Sequence, residues 1–148
     1  MKDPYEMHEN TRRLLELHEG RRSAMYYCTA GAPTVGIGHN LRDNVMSDRA
    51  IDVLLTDDVA AVARDLDKVF PWWRDEDEVR QAAMVDLCFN LGITRFSKFH
   101  NTLNAWHAHV YEAAALGLEN SKWYHQVGNR AKRIVDMVRT GAWPKEIA

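Results

Sequence analysis

Near the start of the chain, Glu19, Cys28 and Thr34 follow one another with eight and then five residues between them. A carboxyl, a thiol and a hydroxyl at this spacing can act on one substrate if the chain reverses direction between them, the carboxyl giving a proton to a leaving group and the others handling water. Glu19 stands just before Gly20, where a helical pattern stops. The partial negative charge at a helix C-terminus favours the neutral acid, the form a proton donor needs. Cys28 has an ordinary thiol pKa near 8.5 and is a weak base unless a cation such as Arg21 or Arg22 favours the thiolate. Spacing alone leaves the plainer reading of Glu19 open: a solvated charge on a last helical turn.

The elements that must position these side chains can be read from pattern. Asp3 and Glu6 form a capping box around Pro4, which suits a first helical position, and Leu14, Leu15 and Leu17 supply the expected inner face of that helix. The stretch YYCTAGAPTVGIGH from Tyr26 to His39 mixes β-formers with glycine and proline, which predicts a short hairpin. Ser47 caps a second helix, in which Ile51, Leu54, Leu55, Val59, Val62, Leu66 and Val69 recur at helical spacing, and Pro71 ends it. A helix over Asp77 to Leu91 closes at Gly92 and is apolar nearly all round, as suits the centre of a bundle. Further helical patterns cover Lys98 to Glu119 and Asn129 to Thr140. The expected fold class is therefore α+β and mainly helical. A small β lobe (20–46) and a helical lobe (1–19 and 70–148) are joined by a helix (48–69) in one domain, with a ligand cleft between the lobes.

Composition limits the function classes. With 148 residues, 46% hydrophobic and 27% charged, the chain has the make-up of an ordered globular domain. A net charge of -2 provides no general positive field for nucleic acid. The opening MKDPYEMHEN has no apolar signal core, so synthesis and folding in the cytoplasm are expected. Two cysteines, Cys28 and Cys88, are expected as free thiols, Cys88 as a small core residue. The histidines, His100, His107, His109 and His125 among them, lack the spacing of a zinc motif, and neither metal nor organic cofactor is expected. Gly36 and Gly38 lack the later glycine and following helix of a nucleotide loop.

The segment HEGRRSAMYYCTAGAPTVGIGHNL resembles the active-site region of the phage lysozyme family, glycoside hydrolase family 24. FNLG at Phe89 to Gly92 and SKWYHQVGNRAKRIVDMVRTGAW from Ser121 to Trp143 resemble that family's central helix and closing segment in the same order. The resemblance implies a lysozyme-like fold and a muramidase, cleaving the β-1,4 bond between N-acetylmuramic acid and N-acetylglucosamine in peptidoglycan. It places Glu19 as the acid, Cys28 where the family more often has Asp, and Thr34 as the accompanying hydroxyl. A thiol can activate water less well than a carboxylate. The first mechanism considered has Thr34 and Cys28 position the water, and covalent attack by Cys28 is the alternative. Arg130 resembles the family's arginine near the catalytic glutamate and is expected to orient it. His39 and Asp58 correspond to a structural ion pair. Gly36, Phe89, Asn90 and Asn101 are further candidates for binding or orienting the glycan.

Charge is uneven along the chain. Eight acidic residues face three basic ones between Asp57 and Glu78, whereas Lys122, Arg130, Lys132, Arg133 and Arg139 oppose only Asp136 between Ser121 and Arg139. That basic segment is a candidate for weak contact with an anionic cell envelope. The resemblance further implies an endolysin without nucleic-acid partner, expected as a monomer. It would wait in the host cytoplasm until a separately encoded membrane pore lets it reach the wall, the periplasm of a Gram-negative host. A lytic transglycosylase, which needs no activated water, and an inactive wall-binding homologue are the competing readings.

Overall fold

Helix α1, Glu9–Glu19, starts where the His8 side chain accepts a hydrogen bond from the Asn10 N–H (3.1 Å), and Gly20 stops it with φ 75°. The computed structural model describes residues 6–147, so the expected cap at Asp3 and Pro4 lies outside the described residues. Glu6 precedes the helix, which begins later than its pattern predicts. The expected hairpin is a three-stranded antiparallel sheet of β1 (Arg22–Tyr27), β2 (Pro33–Gly36) and β3 (His39–Asn40) in that order. Its register sets Tyr26 against Thr34 and Val35 against His39.

Seven helices follow among the described residues: α2 (Asp48–Val69), α3 (Glu78–Leu91), α4 (Ile93–Phe96), α5 (His100–His107), α6 (Tyr111–Glu119), α7 (Lys122–Val127) and α8 (Asn129–Thr140). A 3-10 turn, Pro71–Asp75, separates α2 from α3. The architecture is thus α+β and mostly helical. Local chemistry sets the boundaries: the Ser47 hydroxyl accepts from the Ala50 N–H (3.1 Å), Asp77 from the Arg80 N–H (2.9 Å), and Ser121 from the Tyr124 N–H (3.3 Å). No helix among the described residues is long and apolar enough to cross a membrane.

The chain divides into two compact units, Met1–Asp52 and Val53–Ala148, with the division falling inside α2. In the second unit Leu66, Trp73, Met84, Leu87, Phe96, Trp106, Leu118, Trp123 and Val138 belong to one buried cluster. Arg80 ties α3 to the end of α8: its Nε donates to the Val138 carbonyl (2.8 Å) and its Nη2 to that of Arg139 (3.2 Å). These carbonyls lack partners within their own helix, so the guanidinium caps it. The same group lies 3.4 Å from the centre of the Tyr111 ring.

Two expectations from periodicity are corrected, in α1 and between α5 and α6, and the apolar stripe of α2 has a limited reach. Leu14, Leu15 and Leu17 stay exposed, and α1 has no buried residue; Glu9 pairs instead with Arg12 and Arg13 along its surface. In α2 only Leu66 is buried, while Ile51, Leu54, Leu55, Val59 and Val69 are exposed, so the apolar stripe meets the core only near its end. The pattern from Lys98 to Glu119 is broken into α5 and α6 by His109, which holds φ 61°. The Val110 N–H reaches back to the Ala105 carbonyl (2.8 Å), the bond that closes a helix when the residue between is left-handed. No glycine marks that stop in the sequence.

Candidate active site

In the first unit, Glu19 is the last residue of α1 and is exposed. Its carboxyl lies against Gly38 in the turn between β2 and β3: a β-carbon built on that glycine would come 2.8 Å from Oε2. Thr34 sits on β2, two positions before Gly36, a distance of roughly 7 Å at the usual strand rise. The helix end and the sheet therefore bring the Glu19 carboxyl to the turn that follows the strand carrying Thr34.

Cys28 follows β1 in a tight turn. Its N–H donates to the Ala32 carbonyl (3.0 Å) and its carbonyl accepts from the Gly31 N–H (2.8 Å). The backbone N–H of Ala32, then that of Ala30, holds the Cys28 thiol below its ordinary range; the Thr34 hydroxyl and Arg42 contribute less. Arg21 and Arg22, the cations expected to do this, are engaged elsewhere: Arg21 Nε with Glu16 (2.8 Å), and the Arg22 guanidinium over the Tyr26 ring (4.7 Å). Thr34 is buried and its hydroxyl donates to the Ala32 carbonyl (2.9 Å), which ties it to the same turn. Cys28 itself is half-buried. The unit thus holds an exposed carboxyl, Glu19, and a sulfur, Cys28, that accepts hydrogen bonds from the turn.

His39 also belongs to this unit, on β3, and its Nε2 is buried without a hydrogen-bond partner among the described residues. Gly36 has φ 68° and open space where a side chain would be. Asp58, its proposed companion in the sequence reading of His39, belongs to the second unit, where it lines a depression of about 380 Å³ with Asp65, Cys88 and Phe89.

The remaining candidates lie in the second unit. Arg130 Nε donates to Asp86 Oδ1 (2.9 Å), and the pair borders an open, largely apolar groove of about 510 Å³ with Leu55, Val59, Val85 and Phe89. Asn90 Oδ1 accepts from the Trp123 indole N–H (2.9 Å), so its side chain links α3 to α7. Asn101 is exposed in the first turn of α5. Cys88 is buried, and burial pushes its thiol up to about 11.

Sequence reasoning missed Asp86 and the N–H groups of Ala30 and Ala32. Asp86 was marked by being the one charge inside AAMVDLCFNL; the N–H groups carry no side-chain signal at all. Among the described residues no group of three or more His, Cys, Asp or Glu side chains is placed to hold a metal. The basic segment is partly neutralised: Glu112 and Glu119 each hold Arg139 at 2.8 Å, and Arg133 lies 3.8 Å from Glu146. Lys122 and Lys132 remain.

With helix end, sheet and turn in place, comparison with known proteins defines the class. Residues 16–139 match the phage lysozyme family model, so the chain belongs to the phage lysozyme family. It is 29% identical to the pre-baseplate central spike protein Gp5 of Enterobacteria phage T4; the match covers 86% of this chain but only 27% of that longer protein. Two probable T4-type lysozymes of Dictyostelium discoideum are 21% and 24% identical, with 86% of this chain and 92% of each relative covered. The chain is thus lysozyme-like in family and fold.

Proposed function

We propose that the chain is a muramidase and endolysin, hydrolysing the β-1,4 bond between N-acetylmuramic acid and N-acetylglucosamine in peptidoglycan. The reading rests on one observation above all: the Glu19 carboxyl, at a helix end, lies against a turn of the sheet in which Thr34 sits on β2 and Cys28 follows β1. Glu19 gives its proton to the bridging oxygen as the bond from that oxygen to the sugar's anomeric carbon breaks. A water molecule that Cys28 positions adds to the anomeric carbon, and its proton passes to solvent as the new bond forms. Thr34 holds the turn, since its hydroxyl is already bonded to Ala32. Family membership supports a glycosidase, and peptidoglycan is the substrate the family implies.

Clearing of a peptidoglycan suspension tests this. Glu19→Gln, which removes the proton but keeps the shape, is expected to lower the rate by about 10²- to 10⁴-fold with an unchanged melting temperature. Clearing at the wild-type rate would overturn the proposal. Cys28→Ser and Cys28→Asp are expected to keep measurable activity, because each can still orient water; near-total loss in both means covalent attack by the sulfur instead. Released glycan ends identify the reaction: a reducing end means hydrolysis, and a 1,6-anhydro end means transglycosylation.

A further inference from the structure

We propose that Gly38 is a positioning residue for Glu19: having no side chain, it leaves open the slot in which the carboxyl is seated. The inference rests on the reading of Glu19 as the acid, and it goes further by naming the residue that leaves room for its carboxyl. A β-carbon at position 38 would stand 2.8 Å from Glu19 Oε2, 2.9 Å from Cδ and 3.0 Å from Cγ. Carbon atoms in contact sit about 3.5 to 4.0 Å apart, so a methyl group and the carboxyl cannot both occupy the space.

Both backbones are held, so the side chain must be the part that gives. Glu19 closes α1, and the next residue's N–H is bound to the Glu16 carbonyl (2.8 Å). Gly38 is flanked by β2 and by His39, which pairs with Val35. Gly31 separates this space requirement from the ordinary glycine requirement. It too has a positive φ, 80° against 71° at Gly38, yet a β-carbon there meets nothing within 4 Å. The strained backbone is common to both positions; the seat for a carboxyl belongs to Gly38 alone among the two.

The test is a double-mutant cycle of Gly38→Ala with Glu19→Asp, which draws the carboxyl back by one methylene. Kinetics are measured on soluble glycan strands and melting temperature on each variant. Gly38→Ala is expected to lower kcat by about 10²-fold at unchanged KM, the loss that a displacement of about 1 Å causes. Glu19→Asp is expected to cost much less in the Gly38→Ala background than in wild type, because the collision is relieved. Additive losses, or a raised KM with kcat intact, overturn the proposal. If Gly38→Ala does not fold, Glu19→Ala added to it is expected to restore folding, and failure to do so also overturns it. Should Glu19→Gln prove fully active, the acid reading falls by itself; should Glu19→Gln be inactive while the cycle is additive, only the role of Gly38 falls.

Discussion

The two units of this chain are held together in different ways, and their cysteines show it. Among described residues before Val53, only Ala32 and Thr34 are buried, and shape comes from a three-stranded sheet, a turn closed by backbone hydrogen bonds and glycines at positive φ. After it, a cluster running from Leu66 to Val138 provides a true apolar core. Cys28 lies in the first setting with N–H groups directed at its sulfur; Cys88 lies in the second, 2% exposed within the apolar cluster and with Asp65 nearby. One thiol is pulled toward ionisation and the other pushed away from it. Chemistry in this protein is assigned to the region with exposed polar backbone, and stability to the region without it.

The largest test of that contrast is a cavity in the core. Phe96 is fully buried and meets Phe70 with ring centres 5.9 Å apart. Phe96→Ala is expected to cost about 3 to 5 kcal/mol in urea unfolding. A loss under about 1 kcal/mol would show that packing does not hold the second unit.

Thiol reactivity comes next. Alkylation of the native protein by iodoacetamide near neutral pH, followed by mass spectrometry, is expected to modify Cys28 at least about 100-fold faster than Cys88. The thiolate is the reacting form, and burial raises Cys88 to about 11 while hydrogen bonds from the turn lower Cys28 from the ordinary thiol range. Equal rates would remove the difference between the two environments.

A smaller effect concerns Glu76, the one buried acidic side chain among the described residues, which is 1% exposed. Its Oε2 accepts from the Tyr111 hydroxyl (2.8 Å), and His109 Nε2 stands 3.6 Å from Oε1. Tyr111→Phe deletes that donor and is expected to cost about 1 to 3 kcal/mol by chemical denaturation, since a buried acceptor then loses its partner. An unchanged midpoint would mean that water or His109 replaces the hydroxyl without loss.

The smallest effect lies at the exposed surface, where Arg74 first and the Trp73 indole second hold Asp67 down at about 2, against an ordinary 3.8. A carboxyl depressed by folding contributes stability above its unfolded value and loses it as pH falls through its folded value. Wild type is therefore expected to be slightly more stable than Asp67→Asn above pH about 4, with the difference closing toward pH about 2 and shrinking in salt. A constant difference across that window would show that the pair contributes nothing through charge.

Legibility followed the range of the interactions. Ser47 and Pro71 bounded α2, and Asp77 and Gly92 bounded α3, because caps and stops are hydrogen bonds made within a few residues. The break at His109 was hidden, since its left-handed backbone is carried by a residue type that does not advertise one. Apolar spacing in α1 and α2 was read correctly as helical, and the inner face expected of α1 is exposed, for periodicity states which residues share a face and not what covers it. The candidate site residues Glu19, Cys28 and Thr34 were named from residue type and resemblance. Their surroundings were not: the cations beside Cys28 in sequence proved to be engaged with Glu16 and Tyr26.

Sequence alone determined the helix boundaries set by local caps, the α+β class and the lysozyme kinship, because each is written in neighbouring residues or in a motif of unbroken order. Only the tertiary structure decided that the Glu19 carboxyl lies against Gly38, that Asp86 holds Arg130, and that Ala30 and Ala32 direct N–H groups at Cys28. Those contacts depend on where the backbone returns and which way its N–H groups point, and no side-chain pattern records either.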